Sequence, residues 1–180
     1  MAKNSKLHAP SCRFEALLEK STNKLWGCHF TVPPDVVARL TKDRSRRVVC
    51  SLNRKATYQC AMLPHGGGSH IITVNKNIRN SLGVTFGDSV EVILSADTSD
   101  YGLPLPEEFA EAMRQDPAGK KLFHALTTGR QRTLLYIIGK PKLPDKRIIY
   151  SLVVLRHLHI NKGKINYRQL TMALRHGAIV

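Results

Sequence analysis

The chain has 180 residues, 42% of them hydrophobic, with 28 Lys and Arg against 13 Asp and Glu and a formal net charge of +15. That length allows one domain or two small ones with a real apolar core. The strongest apolar run, Ile148 to Leu155, is far short of the ~20 residues a membrane span needs, which excludes a bilayer-crossing helix.

The charge is uneven. Residues 1–60 carry 12 Lys and Arg against 4 acids, residues 127–180 carry 11 against 1, and residues 61–126 carry 5 against 8. Such a field attracts and steers polyanions without specifying sequence or chemistry. A basic protein with solvated charges has the same composition. Met1 to Ser11 is polar and basic, which reads as a disordered tail (1–11) and not a secretory signal. Cys12, Cys28, Cys50 and Cys60 form no C-x-x-C pair and read as free thiols of a cytoplasmic protein.

In chain order, Phe14 to Lys20 fits either a strand or a short helix. Leu25 to Val32 alternates as a strand, and Pro33-Pro34-Asp35 ends it and opens a short helix over Val36, Val37 and Leu40. Val48 to Leu52 is the next strand. Thr57 to Leu63 and Ser69 to Val74 flank Pro64-His65-Gly66-Gly67-Gly68 as a hairpin. Asn77 to Leu82 is a short helix with Gly83 as its left-handed cap, and Val90 to Leu94 is a strand after the Gly87-Asp88 turn.

After Pro106 the apolar period lengthens to that of helices. Helices are predicted from Glu107, around Leu122 to Leu126, from near Thr128 through Ile138, and after Pro144-Asp145. The last one, carrying Tyr167, Leu170 and Leu174, is capped by Asn166.

One stretch is written twice. Phe30 to Leu52 lies over Ile72 to Leu94 without a gap, at a constant offset of 42 (72 minus 30). Thr31/Thr73, Val32/Val74, Leu40/Leu82, Val48/Val90 and Leu52/Leu94 are identical. Each copy reads as strand, short helix, loop, strand, and two copies can close a sheet and remove its edges. The predicted class is α+β: a closed double-split β-barrel of two pseudo-repeats over 12–100, then a small all-helical domain over 104–176.

No catalytic set nominates itself. His65-Gly66-Gly67-Gly68 looks like a lipase oxyanion loop, but no Gly-x-Ser-x-Gly occurs, and a glycine-rich hairpin tip accounts for it better. His65 and His70 make an incomplete metal site, and His157 and His159 point to different helix faces. Exposed histidines are the default for all four. Asp97, Asp100, Glu107 and Glu108 read as turn and helix-start residues before they read as paired carboxylates. No cofactor or metal is expected.

The arginines carry more. Arg130 and Arg132 stand at a predicted helix start, where amides and guanidiniums together can hold an anion. Arg44, Arg46 and Arg47 load the loop of the first copy, and Lys76 and Arg79 lie on the helix of the second. Few aromatics lie near these runs, which disfavours stacking on single strands.

The segment Val74-Asn75-Lys76-Asn77-Ile78-Arg79 through Leu82-Gly83 and Gly87-Asp88-Ser89-Val90 resembles the swapped-hairpin segment of AbrB- and MazE-type DNA-binding proteins. Read with Phe30-Thr31-Val32-Pro33-Pro34-Asp35-Val36, Arg47-Val48-Val49, Pro106-Glu107-Glu108, the Phe123 to Leu126 stretch and Lys146-Arg147-Ile148, the chain resembles the YdeI/OmpD-associated family over roughly 12–160. The resemblance implies a barrel in which one chain supplies both halves. It implies no established activity, and the bacteriocin-protection label of some members names no mechanism. DNA binding does not simply carry over, because AbrB-like recognition depends on a dimeric surface and Pro33-Pro34 stands opposite Asn75-Lys76.

The expectation is a non-enzymatic cytoplasmic binding module, monomer or weak homodimer, that stays off membranes. It contacts nucleic acid or another polyanion through Arg44, Arg46, Arg47, Lys76, Arg79, Arg130 and Arg132. One alternative is a small-molecule-binding protein or enzyme using a cleft between barrel and helices, around Asp97, Asp100 and Tyr101. The other is an interaction module in stress or bacteriocin protection that meets an acidic protein.

Overall fold

The computed structural model describes residues 11–21, 27–41 and 45–176. The chain divides into two compact units, residues 1–98 and 99–180.

The first unit is built of β1 (Ser11–Leu17), β2 (Glu19–Lys20), β3 (Cys28–Val32), α1 (Pro34–Leu40), β4 (Arg47–Leu52), β5 (Ala56–Ala61), β6 (Leu63–His65), β7 (Ser69–Thr73), α2 (Lys76–Leu82) and β8 (Ser89–Ala96). All pairing is antiparallel, in two four-stranded sheets ordered β1-β8-β4-β5 and β2-β3-β7-β6. Phe14 to Lys20 is therefore strand.

Among the described residues neither ladder returns to its first strand, so they form two open sheets and not the single closed one expected from the repeat. The reason lies at Leu18 and Met62, both buried, where the chain bends out of one sheet and into the other. The backbone N–H of Leu18 donates to Asp88 O at 2.9 Å and that of Met62 to Arg46 O at 2.9 Å. Each lies at the end of its ladder, where the chain crosses over. The run expected as one strand over Thr57 to Leu63 is split by the same bend. Its first part makes a hairpin with β4, through a turn in which Asn53 and Arg54 take positive φ.

The register shows why the sequence repeats. In one sheet Phe30 pairs with Ile72, and in the other Ser51 pairs with Ile93. Each of these residues faces its own repeat equivalent, 42 positions on, so one pseudo-two-fold relation runs through both sheets. The duplication also reaches further than the identities do. Cys12 pairs with Leu94, and Ala56 pairs with Leu52, the repeat equivalent of Leu94. Cys12 and Ala56 therefore correspond, at an offset of 44 (56 minus 12). Phe14 and Tyr58 match at the same offset, and so do Leu18 and Met62.

The two sheets share one core. Phe30, Ile72 and Val74 meet Val48, Cys50, Leu52, Val90, Val92 and Leu94, closed by Val36 and Leu40 of α1. Alternate residues of β4 are buried, which is the period of a sheet with one face on a core. Cys50 is a core side chain, as its strand context predicts. A hydrogen bond with the Cys50 thiol, together with burial, pushes the Cys60 thiol up.

The second unit is helical: α3 (Glu107–Gln115), α4 (Pro117–His124), α5 (Thr128–Gly139), α6 (Pro144–Ile160) and α7 (Tyr167–His176). Phe109, Phe123, Leu134, Ile138, Val154, Leu158 and Leu170 form its core. Glu107 and Glu108 sit in the first turn of α3, and Asn166 Oδ1 accepts from Gln169 N at 3.2 Å at the start of α7. No helix among the described residues is long and apolar enough to cross a membrane.

Candidate functional site

The helical unit holds a cleft of about 440 Å³. Its floor is Leu103, Leu105 and Leu135 with Pro104 and Pro106, and its lip carries Tyr136, Lys140 and Glu107. Pro104 and Pro106 lock φ in the segment before α3 and hold it extended along the cleft. Gly139, the last residue of α5, leaves room opposite: a Cβ there would stand 3.6 Å from the Pro106 ring. A larger side chain in Gly139→Leu would therefore enter the cleft with its Cβ in ordinary van der Waals contact. Tyr136 is a large side chain left 64% exposed at this lip.

One ion pair braces the cleft wall. The Arg147 guanidinium donates to Glu108 Oε1 through Nε at 2.9 Å and Nη2 at 2.7 Å. Its Nη1 donates to the carbonyls of Pro141, at 3.3 Å, and Lys142, at 3.1 Å. This one side chain ties the first turns of α3 and α6 to the loop after α5. The Arg147 hydrogen bond, with help from the backbone, holds the Glu108 carboxyl below the usual carboxylate range. Glu108 is accordingly a bracing residue and not a proton donor at neutral pH. The chemistry left in the cleft is an apolar floor with a phenol, an ammonium and a carboxylate at its edge. That set suits binding and supplies no nucleophile–base pair.

The residues singled out as basic contacts fall in both compact units. Arg44 lies outside the described residues. Arg46 is exposed and Arg47 half-buried where the chain enters β4. Lys76 is exposed at the start of α2. Arg79, in its last turn, lies 4.8 Å over the Phe86 ring, so its charge serves the α2 C-terminus and a cation–π contact. Arg130 and Arg132 belong to the other unit, on the first turns of α5. Between them Gln131 is buried and donates to the carbonyls of Phe123 and His124, both at 3.2 Å. Neither arginine lines the 440 Å³ cleft.

Of the four histidines read as exposed, His65 and His159 are exposed, His70 is half-buried and His157 is buried. His157 is 6% exposed, and its Nε2 accepts from Asn166 N at 3.1 Å. His159 Nε2 lies 2.7 Å from Asp116 Oδ2. Their contacts come from residues 9 and 43 positions away, which helix periodicity does not display. His65 and His70 stay at the hairpin, as the glycine-rich turn predicts. No group of three metal-ligating side chains occurs among the described residues.

Residues 14–94 match the model of a domain of unknown function, DUF1905. Residues 103–149 match the model described as bacteriocin-protection, YdeI or OmpD-associated. No curated protein matches the chain. Each match falls within one of the two compact units. The chain belongs to the YdeI/OmpD-associated family and carries a DUF1905 domain of unknown function ahead of the segment that defines it.

Proposed function

We propose that this chain is a non-enzymatic binding protein whose site is the 440 Å³ cleft of the helical unit, taking a small, largely apolar ligand. The observation that carries this reading is a coincidence of position. All 11 residues lining the cleft lie within 103–149, the segment matching the bacteriocin-protection model. Two further clefts of the unit draw on α6 residues beyond 149. If the protective role in the family description extends to this chain, sequestering a small molecule is the form that this geometry favours. Native mass spectrometry of the protein as first purified is expected to show a retained small-molecule adduct. Gly139→Leu, whose side chain enters the cleft, is expected to lose it. An adduct equally retained by Gly139→Leu would overturn the reading.

A second reading, polyanion binding, is favoured by the charge balance. Glu91 is paired by Arg13 and Arg54, Glu108 by Arg147 and Glu111 by Arg114, whereas Arg46, Lys76, Arg130 and Arg132 have no ion pair among the described residues. Both units are basic, with 14 Lys and Arg against 7 acids in residues 1–98 and 14 against 6 in 99–180. Binding to DNA, RNA or heparin is expected to weaken steeply with salt, its log–log slope scaling with the phosphates neutralised. No binding at about 50 mM salt, where such contacts are strongest, removes this reading.

The finer fold reading, a double-split barrel holding both halves in one chain, is supported by the pseudo-two-fold pairing and by the strands that bend between sheets at Leu18 and Met62. Four free thiols favour a reducing, cytoplasmic setting.

A further inference from the structure

Away from the 440 Å³ cleft, α3, Asp116 and α6 line a second cleft of about 350 Å³. Its apolar lining is Ala112, Leu152 and Leu155, and beside these stand Gln115, Arg156 and the Asp116–His159 pair. Both Asp116 oxygens are occupied. Oδ1 accepts the Gly119 N–H at 2.8 Å, capping α4, and Oδ2 takes His159 Nε2 at 2.7 Å. Burial pushes the Asp116 carboxyl up, but the Gly119 N–H and His159 outweigh it and hold it below the usual range. Its charge is therefore met within the wall.

The pair also depends on residue 119 being glycine. A Cβ there would stand 2.2 Å from Asp116 Oδ2 and 3.1 Å from His159 Nε2. Arg156 has no ion pair among the described residues, and it stands one helical turn before His159 on α6. The lining thus offers one uncompensated guanidinium, an amide and an imidazole beside three aliphatic side chains.

We infer that this cleft binds a small organic carboxylate with an aliphatic tail, the carboxylate on Arg156 and the tail against Leu152 and Leu155. A guanidinium recognises a carboxylate through paired N–H donors, and the aliphatic wall adds apolar burial that a bare anion cannot use. This site is separate from the cleft assigned above, and its failure would leave that reading intact.

The test is a methyl and imidazole NMR titration of the full chain with hexanoate at neutral pH and low salt. Saturable shifts are expected at Leu152, Leu155 and His159 at millimolar concentrations. Arg156→Gln, a change at an exposed position, is expected to weaken binding by about tenfold, and Arg156→Lys to keep part of it. Acetate is expected to bind at least about tenfold more weakly, because its tail is missing. The inference is overturned by an absence of shifts, by indifference to Arg156→Gln, or by acetate binding as well as hexanoate, the mark of an adventitious ion only.

Discussion

Replacing Phe123 by alanine is expected to destabilise the helical unit by about 3–5 kcal/mol, the range for emptying a buried aromatic site. Phe123 is fully buried, packs edge-on against Phe109 with ring centroids 5.0 Å apart, and meets Tyr101 at 5.8 Å. Its carbonyl also receives the buried Gln131 amide, so the cavity would open beside a polar group that needs its partner. Domains are stable by only about 5–15 kcal/mol, so this one change removes a large share. Urea unfolding followed by circular dichroism reads the effect. Tyr136→Ala, at the exposed lip, is the control and is expected to stay within about 0.5 kcal/mol. A loss at Phe123 below about 1 kcal/mol would mean that the site collapses freely or is not core.

The second large effect is a pH dependence at His157. Asn166 N is a backbone donor, so His157 Nε2 must accept, and the ring is neutral. This bond fixes the turn between α6 and α7, while Leu170 anchors α7 on the unit's core. Burial lowers the pKa of His157. The native state therefore binds the proton less readily than the unfolded chain. Its contribution is present above the unfolded value near 6.5 and is lost as pH falls below it. Protonation would set an N–H against an N–H, beside the Arg156 that shares the adjoining small cavity. Stability is expected to fall by up to about 1.4 kcal/mol per pH unit, the limit for one proton. Glu108 acts in a lower window: its pKa is depressed, so its contribution is lost only as pH falls through the carboxylate range. Unfolding free energies at about pH 7.5 and 5.5, on either side of the ordinary histidine value, separate the two when the native protein is compared with His157→Gln. Equal pH dependence in both proteins would remove His157 from the account.

Much of the first unit was legible in the sequence because its duplication preserves identities where strands pair across the pseudo-two-fold relation. Thr31/Thr73 and Leu52/Leu94 lie in the four strands that pair across it. The outer strands kept only the apolar alternation, as in Phe14/Tyr58 and Leu18/Met62, and a shift of offset from 42 to 44 hid them. That shift is a difference in chain length. Leu18 to Phe30 spans 12 positions (30 minus 18), whereas Met62 to Ile72 spans 10 (72 minus 62). The bends at Leu18 and Met62 were not legible, because a buried apolar residue reads the same in a straight strand and at a corner.

In the helical unit the apolar period located every helix but not the clefts. The cleft floor is a proline-punctuated segment with no period at all, and Glu108–Arg147 joins residues 39 apart. Charge drew attention to Arg130 and Arg132, while the residue between them, Gln131, is the one that the fold buries. Likewise Arg79 reads as a surface cation until Phe86 is seen beneath it.

A ligand site in the 103–149 segment is open to a protein-observed NMR screen of small apolar fragments against the full chain. Shifts concentrated at Tyr136, Gly139 and Lys140 are expected, and their loss in Gly139→Leu. Shifts that persist in Gly139→Leu, or that never visit these three residues, would contradict a ligand site there.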